Sequence, residues 1–249
     1  KKFLKNIIIF YMFLLIIVFF LPKNYKASKS PRFIKNIGQF NENSLFQLDH
    51  GAGKFYFEKN KIKYQLFEKN KIDNIKHGKC IDPNIKIHTY ETCFLESNIE
   101  SEIFGEEKFS YYENYFIGDN PSYWKVNVPL FKKLTYKEIY KGINLTFYEK
   151  FGHLKYDFEI KPKKNPNKIK IKYNGLDSIY IKSGHLILKT SLGNIVEQAP
   201  IAYQIFKNKK IQIPCEFKLR NNILSFKFPK SYNKNLPLII DPVLIFSTY

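Results

Sequence analysis

Asn144-Leu145-Thr146-Phe147-Tyr148 and Leu154-Lys155-Tyr156-Asp157-Phe158-Glu159-Ile160, separated by Glu149-Lys150-Phe151-Gly152-His153, decide the fold class. In both segments apolar residues recur at every second position, the period of an extended chain whose side chains point alternately to two faces. Leu145 and Phe147 fall on one side, and Leu154, Tyr156, Phe158 and Ile160 form a second apolar row. The pair therefore reads as an antiparallel hairpin that buries one face.

Outward from this hairpin the same reading repeats. Residues 55–57 and 62–66 flank a polar turn at 58–61 and predict another hairpin. Further strand-like segments fall at 85–94, 169–173, 178–182, 185–190, 195–198, 201–206, 211–219, 223–228 and 238–246. Pro214, inside one of them, belongs at an edge or a bulge because it cannot donate to a ladder. Residues 96–107 are acidic. Helical periodicity is nearly absent: one turn is expected near 121–124, with Asp119 or Asn120 as its cap and Pro121 early, and another over 136–140, stopped by Gly142. Short strands with one apolar face each must bury those faces against one another. The fold expected is all-β, an antiparallel sandwich-like body over 33–249, divisible into two packed β-subdomains near 130–140.

The 249 residues are 44% hydrophobic and 17% aromatic, which excludes a disordered chain and favours strands. The net charge of +19 raises the question of nucleic acid, but its distribution argues against it. Arg32 and Arg220 are the arginines; the remaining cations are lysines, which lack the planar fork suited to phosphate and base recognition, and they are scattered at alternate strand positions. They read as solvated strand faces. Asp157 and Glu159, two apart on one strand, read as part of the same outer charged face rather than as a glycosidase pair.

Other chemistry is sparse. His50, His77, His88, His153 and His185 form no ligand-spaced pair, and Gly51-Ala52-Gly53-Lys54 lacks the spacing of a phosphate loop. No nucleophile elbow or dinucleotide fingerprint occurs. No catalytic, cofactor or metal residue is assigned, and no cofactor is expected. Cys80, Cys93 and Cys215 are an odd set. Cys215 falls in phase with Ile211, Ile213, Phe217 and Leu219 and reads as a buried thiol. Cys80 and Cys93 could meet across a hairpin in an oxidising compartment, which leaves their redox state open.

At the amino terminus Lys1, Lys2 and Lys5 precede a fifteen-residue run, 7–21, without charge, and Pro22 then breaks any helix. This is the form of a secretory signal, while an uncleaved membrane anchor is the alternative; residues 22–32 follow as a linker. Residue 1 is not Met, so a trimmed or partial record is one reading of the start.

Several stretches occur together in a recognisable order. They are Phe33-Ile34-Lys35-Asn36-Ile37-Gly38-Gln39-Phe40; Asn114-Tyr115-Phe116-Ile117-Gly118-Asp119-Asn120-Pro121-Ser122-Tyr123-Trp124; Ile139-Tyr140-Lys141-Gly142-Ile143-Asn144-Leu145; residues 154–162; Pro200-Ile201-Ala202-Tyr203-Gln204; and Ile240-Asp241-Pro242 with the residues to Tyr249. This order resembles a bacterial extracytoplasmic domain of unknown function that precedes SBBP (seven-bladed β-propeller) repeats, over about residues 33 to 249. The motif residues Asn36, Gly38, Gln39, Tyr115, Asp119, Pro121, Trp124, Tyr140, Gly142, Asp157, Tyr203, Gln204, Asp241 and Pro242 are expected to be structural, setting turns and anchoring packing. In that family the closing Ser-Thr-Tyr runs on into Leu-Gly-Gly and the first repeat, so both the front of a longer protein and a module that works alone stay open.

The resemblance implies a secreted, periplasmic or cell-surface location. Its implied partners are a cell-surface protein, a glycan or downstream propeller repeats, with no nucleic acid, and with membrane contact only through an uncleaved 1–21 segment. The function expected is a non-enzymatic structural, adhesion or interaction module. The alternatives are a carbohydrate-binding sandwich that uses exposed Tyr and Trp, and a hydrolase on the same scaffold.

Overall fold

The structure, a computed structural model, describes residues 32–50, 53–68, 71, 84–150 and 153–242, and the backbone of 244–246. The expected signal or anchor at 1–21, the linker up to 31, and Cys80 lie outside the described residues. The described residues form one compact unit. Among the described residues no helix is long and apolar enough to cross a membrane.

Among the described residues the fold is all-β and antiparallel, with two short 3-10 turns. Its first half supplies β1 (Phe33–Lys35), β2 (Phe46–His50), β3 (Gly53–Phe57), β4 (Lys61–Phe67), β5 (Ile87–Phe94), β6 (Glu102–Tyr115), β7 (Lys125–Tyr140), β8 (Ile143–Lys150) and β9 (His153–Ile160). The second half supplies β10 (Ile171–Asn174), β11 (Ser178–Lys182), β12 (His185–Thr190), β13 (Gly193–Glu197), β14 (Ile201–Phe206), β15 (Lys209–Ile213), β16 (Glu216–Arg220), β17 (Ile223–Lys227), β18 (Leu238–Asp241) and β19 (Leu244–Phe246). Among the described residues they form two sheets. One has fifteen strands in the order β15-β14-β18-β9-β8-β7-β1-β2-β3-β4-β5-β10-β17-β16, with β6 on the outside of β7; the other has four, β11-β12-β13-β19.

The two edges of the large sheet, β15 and β16, are consecutive in sequence and joined only by Pro214 and Cys215. Two residues span at most about 10 Å between strand ends, so the sheet must curl until its edges approach each other. The single strand expected over 211–219 is thus two strands turning away from one another, with the proline at the corner, where its missing N–H costs no ladder bond. Cys215 is half-buried against the core, and burial pushes its thiol up to about 12.

Alternation carried the hairpins. β8 and β9 pair with Leu145 opposite Phe158 and Phe147 opposite Tyr156. β3 and β4 pair with Phe55 opposite Tyr64, and Glu58 N–H donates to Lys61 O in the turn. One continuous core results, running from Phe33, Phe55 and Phe57 through Leu134, Tyr136, Phe147 and Phe158 to Leu224 and Ile240; Leu186, Leu188 and Ile195 of the small sheet join it. Each such side chain contributes about 1.5–3 kcal/mol by leaving water.

The helical turn expected at 136–140 is not there. β7 runs unbroken to Tyr140, and the spacing that suggested a helix comes from a β-bulge: the register with β8 shifts between Tyr136 and Tyr140, and Glu138 adopts φ 52°. The extra residue lets Tyr136, Ile139 and Tyr140 all face inward, which imitates an i, i+3, i+4 stripe. By contrast the turn at 121–124 is present as a 3-10 turn over Pro121–Tyr123, capped by Asn120 rather than Asp119. β6 begins within the stretch read as merely acidic, at Glu102, and is not legible as a strand because both of its faces are largely wet and no alternation marks it.

Candidate interaction surface

The long β6–β7 hairpin ends in a tip, residues 116–124, that carries large apolar groups into solvent. Phe116 is 60% exposed, Tyr123 68% and Trp124 38%, and Ile117 and Val126 are also exposed. Local hydrogen bonds hold the tip in shape. Asn120 Oδ1 accepts from Ser122 N–H at 3.0 Å and from its hydroxyl at 2.8 Å, and Pro121 fills the first position of the turn. Trp124 Nε1 donates to Gly118 O at 3.0 Å, and its ring meets Phe116 edge-on at 5.2 Å. Trp124 therefore braces its own hairpin and does not enter the core, whereas Tyr140 is buried and donates to Lys170 O at 3.1 Å.

At its base the tip runs into a groove of about 590 Å³. One side is the loop after β1, bound up by its own side chains. Asn36 Nδ2 donates to Asn41 O and Ser44 O, its Oδ1 accepts from Gly38 N–H, and Gln39 Nε2 reaches Lys35 O at 2.6 Å. Phe40 of this loop packs edge-on against Tyr115 at 5.4 Å, and Tyr115 donates to Glu113 at 2.7 Å, which Arg32 pairs at the same distance. The floor is the outer face of β2–β4: Gln47 donates to Asp49 at 2.8 Å, and Tyr56 contacts Gln65 at 3.4 Å. Burial and the nearby Asp49 carboxylate push the Tyr56 hydroxyl up, so it stays a neutral donor and acceptor. Tyr115 and Ile117 line the groove as well as lying beside the tip, so tip and groove form one surface.

Two charged clusters occupy places the sequence did not suggest. Lys155 and Asp157 do not lie on a wet face. Lys155 is buried and pairs with Asp241 Oδ1 at 2.5 Å, in an ion pair outside hydrogen-bond alignment. Continuing the β9–β18 register by one step sets Asp157 opposite Asp241. Tyr148 donates to Asp157 Oδ2 at 3.0 Å, while Oδ1 is buried without a hydrogen bond. Burial first, and the Asp241 charge second, push Asp157 up to about 6. Tyr203 lies beside both carboxylates, with Lys210 Nζ 3.5 Å from its ring centre. Glu159, by contrast, is exposed and accepts from Asn144, as read from the sequence.

The second cluster is Glu197, which is 1% exposed at the centre of the core. Tyr156 and Tyr173 donate to its two oxygens, the latter at 3.2 Å. Burial pushes the carboxyl up to about 7 against the opposing effect of those two bonds. A cavity of about 20 Å³, room for one water, separates it from the stacked rings of Tyr64 and Tyr90 and from Thr92, whose hydroxyl has Tyr64 as neighbour but no well-formed bond. Sequence reasoning missed Glu197; the signal available was its phase with Ile195 on one strand.

The remaining motif residues tie loops down. Gly142, at φ 77°, lets the Lys164 stem lie across it. Gln204, 2% exposed, donates to Asn233 O at 2.7 Å and accepts from Asn233 N–H at 3.1 Å, which ties the 228–237 segment to β14. Pro242 is buried and Asp119 is exposed. Among the described residues no group of His, Cys, Asp and Glu is placed to hold a metal ion.

No curated protein matches the chain, and no solved structure does. One family does match, described as Domain of unknown function (DUF7948), and its match covers residues 33–243, from β1 through β18. The chain belongs to this DUF7948 family.

Proposed function

We propose that the domain is a non-enzymatic interaction module of an exported or cell-surface bacterial protein, and that the β6–β7 tip makes the contact with a protein partner, either a surface protein or a downstream repeat domain. The exposed and internally braced set Phe116, Ile117, Tyr123 and Trp124 carries this reading. Aromatic groups held rigid in water lose little conformational entropy on binding and fill pockets well, which is why they dominate binding energy at protein interfaces. The apolar run at 7–21 behind three lysines supports export. The raised carboxyls support a non-catalytic reading: Glu197 is sealed in the core, Asp157 is packed against Tyr148 and Asp241, and neither lines the two large grooves.

The test applies labelled full chain to intact cells of the source organism. Saturable binding is expected, and the double variant Phe116→Ser/Tyr123→Ser should remove it while the melting temperature holds. Binding that survives the double variant contradicts the reading.

Carbohydrate binding is the second reading, and the groove beside the tip favours it: Tyr56, Gln65 and Gln47 offer the flat ring and amide pairs that sugars use. Tyr56→Ala would then weaken binding to a neutral glycan while the tip variant leaves it unchanged.

A further inference from the structure

On another part of the surface lies an open groove of about 1000 Å³. Its floor is the outer face of β16–β17, and its walls are the 163–170 loop and the 228–234 segment, which meet where Lys163 N–H donates to Lys234 O at 2.7 Å. The lining is strongly cationic. Lys163, Lys164, Lys218, Arg220 and Lys234 all face it and make no ion pair among the described residues. Its single carboxylate, Glu96, is taken up by Lys170 at 2.8 Å, and Lys227 has Glu216 at 3.6 Å.

Scattered solvated lysines do not produce this. The β16–β17 register sets Lys218 opposite Ser225 and Arg220 opposite Ile223, so β16 turns its cations to the same face as two small or apolar neighbours. The 163–170 loop, held by Asn165 as cap and by Gly142 beneath Lys164, brings further cations to the rim. Concentrating like charge costs self-repulsion, and a counter-charge in the groove removes that cost.

We infer that this groove binds an acidic polysaccharide, a linear glycan with carboxylate or sulfate groups along it. A groove walled on two sides by the 163–170 loop and the 228–234 segment suits a chain better than a flat membrane. Only one arginine is present, so bidentate recognition of phosphate or bases has little to work with. The amides of Asn165, Asn167 and Asn221 suit hydroxyls, and the half-buried pair Phe228 and Tyr232, with rings 5.3 Å apart, supplies an apolar face for a sugar ring. The inference rests on the extracytoplasmic setting proposed above only for where the ligand is met. It does not involve the hairpin tip.

The experiment titrates the full chain, at about 0.15 M salt, with polygalacturonate, dextran sulfate, neutral dextran and a single-stranded DNA of similar charge. One variant reverses the groove, Lys218→Glu/Arg220→Glu/Lys234→Glu. The other, Lys182→Glu/Lys189→Glu/Lys207→Glu, makes the same change of net charge on exposed lysines elsewhere. The inference expects binding to an acidic glycan, none to neutral dextran, a loss of about tenfold or more in the groove variant and little change in the other. Three results would each overturn it: no glycan binding, equal loss in both variants, or DNA binding as tightly as the acidic glycans. Because every arm is measured in vitro, the groove can fail while the hairpin reading stands, and the reverse.

Discussion

The Tyr156 hydroxyl donates to the Glu197 carboxylate across the interface between β9 of the large sheet and β13 of the small one. With the Tyr173 bond to the other oxygen, it makes a polar tie inside an otherwise apolar core. The tie is sensitive to protonation. Glu197 titrates about 7 in the fold against an unfolded value near 4.5, and the tyrosines around it, Tyr64, Tyr90, Tyr156 and Tyr173, are all pushed upward and stay neutral.

A carboxyl raised in the folded state holds its proton more tightly there, so its contribution is fully present below the unfolded value and is lost as pH rises through 7. Between about pH 4 and about pH 8 the wild type should lose about 3 kcal/mol relative to Glu197→Gln, which has no proton to release. Urea unfolding of both proteins at the two pH values reads this difference directly. Equal pH dependence in the two proteins would place the charge elsewhere.

Lys155 supplies the cation beside two partly buried carboxylates. Lys155→Met should destabilise by about 3 kcal/mol, because Asp241 and Asp157 are then left facing each other uncompensated. Adding Asp241→Asn should recover most of that loss in a double-mutant cycle by denaturant unfolding. A cycle showing no coupling would mean the ion pair is incidental.

Gln204, itself buried, satisfies backbone groups of Asn233, Leu236 and Pro237. Gln204→Leu should cost about 2–3 kcal/mol and release the 228–237 segment, read as faster hydrogen exchange there with β8–β9 unaffected.

The tip should tolerate change in stability terms. Tyr123→Ser should stay within about 0.5 kcal/mol of wild type, since its side chain is mostly in water, and Phe116→Ser should cost about 0.5 kcal/mol through the lost ring contact with Trp124. Trp124→Ala should cost about 1 kcal/mol by losing the Gly118 bond and the contact with Phe116. Thermal melts of the three variants separate these cases.

How far the sequence could be read follows from what each residue must do. Leu145, Phe147, Tyr156 and Phe158 alternate because one face of their hairpin is core and the other is not, and that contrast is visible without coordinates. β6 has no such contrast, so Ile103 to Tyr115 could not be recognised as a strand. The bulge at Glu138 puts residues three and four apart on one face and imitates a helix. Charge misleads most: Lys155 and Asp157 read as solvent-facing and Glu197 passes unnoticed, because water is the usual partner of a charge and only the tertiary fold supplies the alternatives, Asp241, Tyr148, Tyr156 and Tyr173. The basic groove gathers lysines from the 163–170 loop, β16 and the 228–234 segment, which lie apart in sequence.

The central claim, that the hairpin tip is the contact surface, is tested most directly by photo-cross-linking in intact cells. A photoreactive phenylalanine replaces Tyr123 in one version of the full chain and Lys189, on the small sheet, in another. The account predicts a discrete covalent adduct of one partner from position 123 and none above background from 189. Equal adducts from both positions, or none from 123, would contradict it.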